Sequence, residues 1–407
     1  MEQLHVLRKL ARQYYECAMD PVNMERMKLH RAVNDLKMER PVVLIDDVPF
    51  GELNFDGSLT LQCEDPMLRR VEDYFRKKLF QWKHFPADMI LSPYVRVDKV
   101  VYDSGIGVEV KEKTVVSGTY ISSHEYEDQL SCPEALERVK LPVITYDAKS
   151  TMENYTKVAE AIGDIVPVRI CGCGYTGPVL WDQISELRGV TNLLIDLVDD
   201  PEFSHQVVSK IAECEESRMQ QQEDLGLLDF DNFDMLHSTP SLCSDLEKEY
   251  DGGRVLRKHI WGRAKAQIFG SVSKAMHMEF DIAYMKKLLA PFGLNYYGCC
   301  EPLDKKIDIV SQIPNLRKVS VTPWADVDIA AEAIGKRYVV ANKPNPAAVA
   351  IDLDEDALRK ELGRTLAAIK RNDCSCDIVL KDLSTVGRKL ENLVRWEQIA
   401  MEMVRNA

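Results

Sequence analysis

The residues best able to do chemistry stand together at 297–302, Tyr-Gly-Cys-Cys-Glu-Pro. Thiolates and carboxylates are good zinc ligands, so Cys299, Cys300 and Glu301 offer three donors within one turn. Gly298 and Pro302 end the preceding apolar run, which leaves the turn free to aim two of the three inward. A second group, Met276-His277-Met278-Glu279-Phe280, sets an imidazole and a carboxylate two residues apart on what reads as a neighbouring loop. Three protein ligands with a fourth position open would make a catalytic zinc. His277, Cys299, Cys300 and Glu301 are therefore the candidate metal ligands. The plain alternative is packing, because free cysteine is among the most buried residue types. No CxxC pair and no HExxH run accompanies these residues.

Other polar groups follow short apolar runs and have no apolar task there. Glu279, Tyr297 and Asp382 are candidate catalytic residues, and Tyr296, Trp324, Lys343 and His237 candidate substrate contacts. Lys343 or Lys381 would suit an anionic substrate group; the alternative for each is an ion pair or a solvated loop. Cys171-Gly172-Cys173-Gly174 sits at another run's end, where small residues admit a ligand. Cys374 and Cys376 enter the last run and read as core, and His84 and His124 as structural or surface residues.

These positions need a scaffold. Residues 1–40 carry helical spacing (Leu4, Leu7, Leu10, Tyr14, Cys17), 41–47 a short buried strand, and 64–83 an amphipathic helix. Residues 1–83 read as an N-terminal helical extension packed on a main domain of 84–407. From residue 84 onward, apolar runs at 87–95, 166–172, 230–236, 265–270, 293–298, 317–322, 336–341 and 376–381 alternate with helical segments such as 201–226, 285–292 and 355–371. Such alternation predicts parallel βαβ units. Eight runs fit an α/β fold of the (β/α)8 TIM-barrel type, whose chemistry lies at the C-terminal ends of the strands. LPVITY (141–146) competes as a run, and an open doubly wound sheet is the alternative. Residues 98–122, with Gly105 and Gly107 between Val-rich stretches, predict an inserted antiparallel hairpin.

Composition narrows the class. The chain has 407 residues, 45% hydrophobic and 29% charged, with net charge −13. That sign argues against nucleic acid or an anionic membrane as the main partner. No apolar stretch approaches the ~20 residues of a membrane span. The N-terminus lacks a secretory apolar core, and eleven cysteines then suggest reduced thiols and a cytoplasmic protein. There is no visible repeat, no GxxxxGK[ST] loop, no GxGxxG after the first strand, and no DxHxxG for a corrinoid cofactor of the chain's own.

From Gly174-Tyr175-Thr176-Gly177-Pro178 through Trp181, Leu187-Arg188-Gly189, Leu194, Asp196-Leu197 and Asp200-Pro201-Glu202-Phe203, the chain resembles the uroporphyrinogen decarboxylase superfamily. The stretch opening YYGCCEPL at Tyr296 and closing KPNP at 343–346 resembles an anaerobe-rich branch of it, related to zinc- and cobalamin-dependent methyltransferases. The resemblance spans roughly 85–405 and implies a (β/α)8 barrel. Two chemistries occur in that superfamily. One is decarboxylation of a porphyrinogen without cofactor, which uses an arginine-rich N-terminal segment not found here. The other is methyl transfer at zinc, to or from the cobalamin of a separate corrinoid protein. Cys299 falls where the methyltransferases' first cysteine is expected; Tyr297 stands in place of their histidine, and KPNP in place of their later cysteine. His277, Glu279, Cys300 and Glu301 are the available replacements.

The resemblance thus implies a zinc-dependent enzyme moving a methyl group between a small methylated ether, amine or thiol and a partner's cobalamin. A homodimer is a family-level expectation. The alternatives are a cofactor-free decarboxylase of a polycarboxylate such as uroporphyrinogen, and a non-catalytic ligand-binding barrel.

Overall fold

The computed structural model describes residues 2–115 and 123–407. Three helices open on Asp-Pro. Asp20, Asp65 and Asp200 each cap a first turn by accepting from backbone amides, and the following proline needs no partner there. In the helix Glu355–Arg371, Asp354 caps the start and Lys370 and Arg371 close the end, both favoured by the helix dipole.

The strands are β1 Val42–Ile45, β2 Val95–Asp98, β3 Val100–Asp103, β4 Glu112–Val115, β5 Ser123–Tyr126, β6 Ile144–Asp147, β7 Val168–Cys171, β8 Tyr175–Thr176, β9 Met235–Leu236, β10 Thr239–Pro240, β11 Trp261–Ala264, β12 Leu294–Tyr297, β13 Leu316–Val321, β14 Val339–Asn342 and β15 Ser375–Leu380. Seven run side by side in the order β1-β15-β14-β13-β12-β11-β8, all neighbours parallel. β2 and β7 form a separate parallel pair. β1, β12, β14 and β15 are buried at every position, as a parallel sheet covered on both faces requires. Register puts Arg263 beside Tyr296, Tyr296 beside Lys318, and Ala341 beside Asp377 on one face. Trp261, Leu294, Tyr296 and Ala341 pack together on that face. The opposite face, with Tyr297, Val319, Val340 and Ile378, packs under the helices.

Several expected elements are displaced. The first strand of the sheet is β1, inside the stretch read as an extension, and it pairs with β15. The run at 87–95 holds only the first residue of β2. The run at 265–270 is largely a 3-10 turn, Gln267–Ser271, and its strand is the preceding β11. Of 230–236 only β9 is a strand, paired antiparallel with β10. Apolar letters alone do not separate a strand from the turn that follows it. The expected hairpin is two pairings: β3 with β6, which is the competing run at 141–146, and β4 with β5. Part of the expected hairpin, 116–122, lies outside the described residues. The helical stretch 1–40 breaks at Asp20 into Glu2–Ala18 and Pro21–Asn34. Among the described residues no helix is long and apolar enough to cross a membrane.

Candidate active site

β12 stops at Tyr297 because Gly298 takes φ +101°, where a Cβ would meet Leu303 at 2.7 Å and Ser320 at 3.0 Å. The turn carries Cys299 over the strand's C-terminal end. Glu301, 2% exposed, fastens it: one carboxylate oxygen accepts the Cys299 amide and the other the Ala266 amide, both at 3.0 Å. Cys299 O accepts from Ser320 Oγ at 2.7 Å and from Lys343 Nζ at 3.0 Å. Cys299 is buried, Cys300 is exposed, and their sulfurs lie 3.7 Å apart. The hydrogen bond from the Cys300 thiol, with the charges of Lys343 and Lys265, brings Cys299 down to about 6 against burial and Glu301. The same hydrogen bond pushes Cys300 up.

Lys343 follows β14 and is buried, which lowers it to about 8. Its Nζ also lies 2.5 Å from His237 Nε2, and His237 Nδ1 lies 2.8 Å from an Nη of Arg263 on β11. Burial and then the charges of Lys343 and Arg263 drive His237 far down, so it is neutral. The ring of Tyr296 meets His237 edge-on, 5.3 Å between centres. After β15, Lys381 pairs with Asp47 at 3.0 Å and Asp382 at 3.4 Å, and the Asp382 charge reaches both Cys300 and Lys343.

Cys299, Cys300, His237, Lys343, Tyr296 and Asp382 thus come together at adjacent strand ends. The other candidates do not. His277 sits on a helix, not a loop, wholly buried, with Nε2 2.6 Å from the Tyr297 hydroxyl; that hydroxyl donates to Asp281 at 2.5 Å. Tyr297 and His277 lie on the helix-covered face, since consecutive strand residues point oppositely. Glu279 is on the outer surface, 3.2 Å from His205. Trp324 is 71% exposed in the loop after β13. Glu301 is a turn fastener, with both oxygens engaged.

A metal can be tested against these donors. Two thiolates on a tetrahedral zinc with bonds of about 2.3 Å sit about 3.8 Å apart, so the 3.7 Å sulfur pair fits two of its positions. Glu301 has both oxygens engaged, and His277, although its Nδ1 is unpaired, lies on the helix-covered face away from the thiol pair, so neither supplies a third.

A second donor group went unnoticed in the sequence. Cys171 Sγ and carboxylate oxygens of Asp229 and Asp231 lie within 4.8 Å of one another. The i, i+2 spacing of the two aspartates was its visible signal. Each carboxylate already has a cation: Asp229 pairs with Arg169 at 2.8 Å, and Asp231 bonds Arg96 and the Tyr94 hydroxyl. Burial holds the Cys171 thiol at about 12. Beside it, Gly174 donates to Asp234 at 2.6 Å where no Cβ would fit, and burial lifts Asp234 to about 6. Arg263 was missed too, although a charge inside the apolar run 260–264 marks it.

The chain matches no family model and no curated protein. Its fold is similar to that of a methyltransferase from Methanosarcina mazei, with TM-score 0.51 and 11% identity over 93% of this chain and 98% of that one. A B12-independent methionine synthase from Shewanella sp. aligns with TM-score 0.34 and 11% identity, over 74% of this chain and 76% of that one. What the Methanosarcina structure shares with this chain is the fold, an α/β architecture around a parallel sheet.

Proposed function

We propose that this chain is a metal-dependent methyltransferase of the uroporphyrinogen decarboxylase type, working with a corrinoid protein. The observation that carries it is the Cys299–Cys300 sulfur pair, 3.7 Å apart at the C-terminal end of a parallel strand. A (β/α)8 barrel is the frame we infer. The Val43 carbonyl bonds the Asp88 amide, shortly before β2, at one edge of the seven-strand row; at the other edge β8 follows β7 in the chain, and Cys173 between them bridges to Leu228, so both edges lead toward the β2–β7 pair.

Cys299 and Cys300 would hold a zinc ion. When bound, it supplies Lewis acidity to a heteroatom of the methylated compound. Cys299, already an anion near neutrality, needs little proton release to serve as ligand. Lys343 and Ser320 fix the Cys299 carbonyl and hence the turn. Tyr296 and His237 form a rigid floor. The partner's cobalamin would approach over the strand ends and exchange the methyl group there.

Metal content and methyl transfer to cob(I)alamin test this on anaerobically purified protein. About one zinc per chain is expected, lost in both Cys299→Ser and Cys300→Ser together with transfer. A Cys299→Ser protein that keeps metal and activity overturns the assignment.

A further inference from the structure

Three basic side chains stand in a line beside the thiol pair with no acid among them. Arg263 lies 2.8 Å from His237 Nδ1, and Lys343 Nζ lies 2.5 Å from His237 Nε2. A neutral imidazole has one lone pair, whereas a guanidinium and an ammonium carry only donors. So these contacts leave one N–H facing another donor. The neighbouring carboxylates are engaged elsewhere: Asp182 with Lys265, Asp47 and Asp382 with Lys381, and Glu301 with two amides. Among the described residues neither Arg263 nor Lys343 has a carboxylate partner. Arg263 Nε is buried with no hydrogen bond, and Lys343 is 4% exposed. The Cys299 thiolate offsets the charge of Lys343, but the Arg263 guanidinium has no such partner; an unpaired charge with a buried N–H is costly, so something anionic belongs beside it. Space for it exists on the Arg263 side: Arg263 also lines a cavity of about 490 Å³ whose wall carries Arg96, Lys99, Asp98, Asp234 and the 171–177 loop, while His237 and Lys343 lie off that wall. His237 and Ser238 hold φ of +48° and +72°, backbone that side chains rarely adopt and that here sets the imidazole between the two cations.

We propose that Arg263, His237 and Lys343 form an anion site, and that the small molecule handled beside Cys299 carries a carboxylate. Its oxygens take the unpaired N–H groups of Arg263 and Lys343, and one negative charge then lies between two positive ones. Planar donors on arginine suit a carboxylate in this way. This names the substrate class for the methyl-transfer reading and rests on it for the word substrate; the anion site itself needs no metal.

Two alkylating reagents separate the possibilities. Iodoacetate carries a carboxylate and iodoacetamide a neutral amide; with either, the thiolate sulfur bonds the CH2 carbon and iodide leaves. Rates at Cys299 and Cys300 are followed by peptide mass spectrometry on the whole chain, before and after chelator treatment. The expected result is iodoacetate faster than iodoacetamide by roughly tenfold, saturating with concentration and slowed by acetate. Arg263→Gln and Lys343→Met should each abolish the preference, and Arg263→Lys should keep part of it. Circular dichroism checks that the variants are folded; if Lys343→Met is not, Arg263→Gln decides. No preference, a rate linear in iodoacetate with no effect of acetate, or no reaction with either reagent overturns the anion site. Chelator-independent rates would count against the metal alone.

Discussion

Tyr296 and Tyr297 are consecutive on β12 and serve opposite sides of the sheet. Tyr296 abuts His237 on the face that ends in Lys343 and the thiol pair, while the Tyr297 hydroxyl joins His277 to Asp281 beneath the helices. Tyr297→Phe removes the partner of two buried polar groups and is expected to cost about 1–3 kcal/mol of stability. Metal content and methyl transfer should stay as in the unsubstituted chain. Urea denaturation reads the first and elemental analysis the second; metal lost with stability intact would return Tyr297 to the site.

Cys299 should behave as a thiolate well below the range of ordinary thiols. Its rate of reaction with iodoacetamide is expected to rise with pH around a midpoint of about 6, because the anion is the reactive form. Cys300→Ala takes away the largest stabilising contribution, so the midpoint should climb. A midpoint unchanged by that substitution would refute the sulfur–sulfur hydrogen bond as its cause.

Lys318 on β13 and Asp377 on β15 meet at 2.6 Å across the intervening β14, each 1% exposed. Lys318→Met alone leaves a buried carboxylate unpaired and should destabilise by about 3–5 kcal/mol. The double variant Lys318→Met with Asp377→Leu should recover most of that. A double-mutant cycle in guanidinium measures the coupling, and simple additivity would show that the pair does not interact.

Asp88 sets an acid limit on stability. Burial alone would raise its carboxyl, but the Arg40 guanidinium at 2.7 Å and the Val43 amide at 2.9 Å hold it below the usual carboxylate range. A lowered folded pKa gives stability that is complete above the unfolded value and lost as pH falls through the folded one. Asp88→Asn should therefore lower the urea midpoint at about pH 7 and flatten its fall towards about pH 3. Parallel pH curves for the two proteins would contradict this.

The alternation of apolar runs with helices was legible, and so was the end of a strand at Gly298, whereas the Asp-Pro helix start inside 1–40 was not. AQIFG and VVLI both read as strands, yet only the second is one; the Gln and Gly of the first were the cue to a turn. Which face a residue joins was readable only by parity along a strand. His277 was grouped with Cys299 because both lie near run ends, yet the strand between them separates their surroundings. Arg263 and the Asp229–Asp231 pair were passed over because their meaning depends on partners far along the chain, His237 and Lys343 for one, Arg169 and Arg96 for the others.

The pairing of β1 with β15 has a consequence for how the protein is made. Val42 leaves the ribosome early, and its partner Asp377 follows about 330 residues later. At about 5–20 residues per second, that gap is on the order of half a minute. During it the Val-Val-Leu-Ile segment has no strand to join on its β15 side. The nascent chain must shield this apolar edge with the helix Pro21–Asn34, which packs against β1 in the finished protein, or lend it to a chaperone. Loss of the last 33 residues would make that exposure permanent, because β15 begins at Ser375.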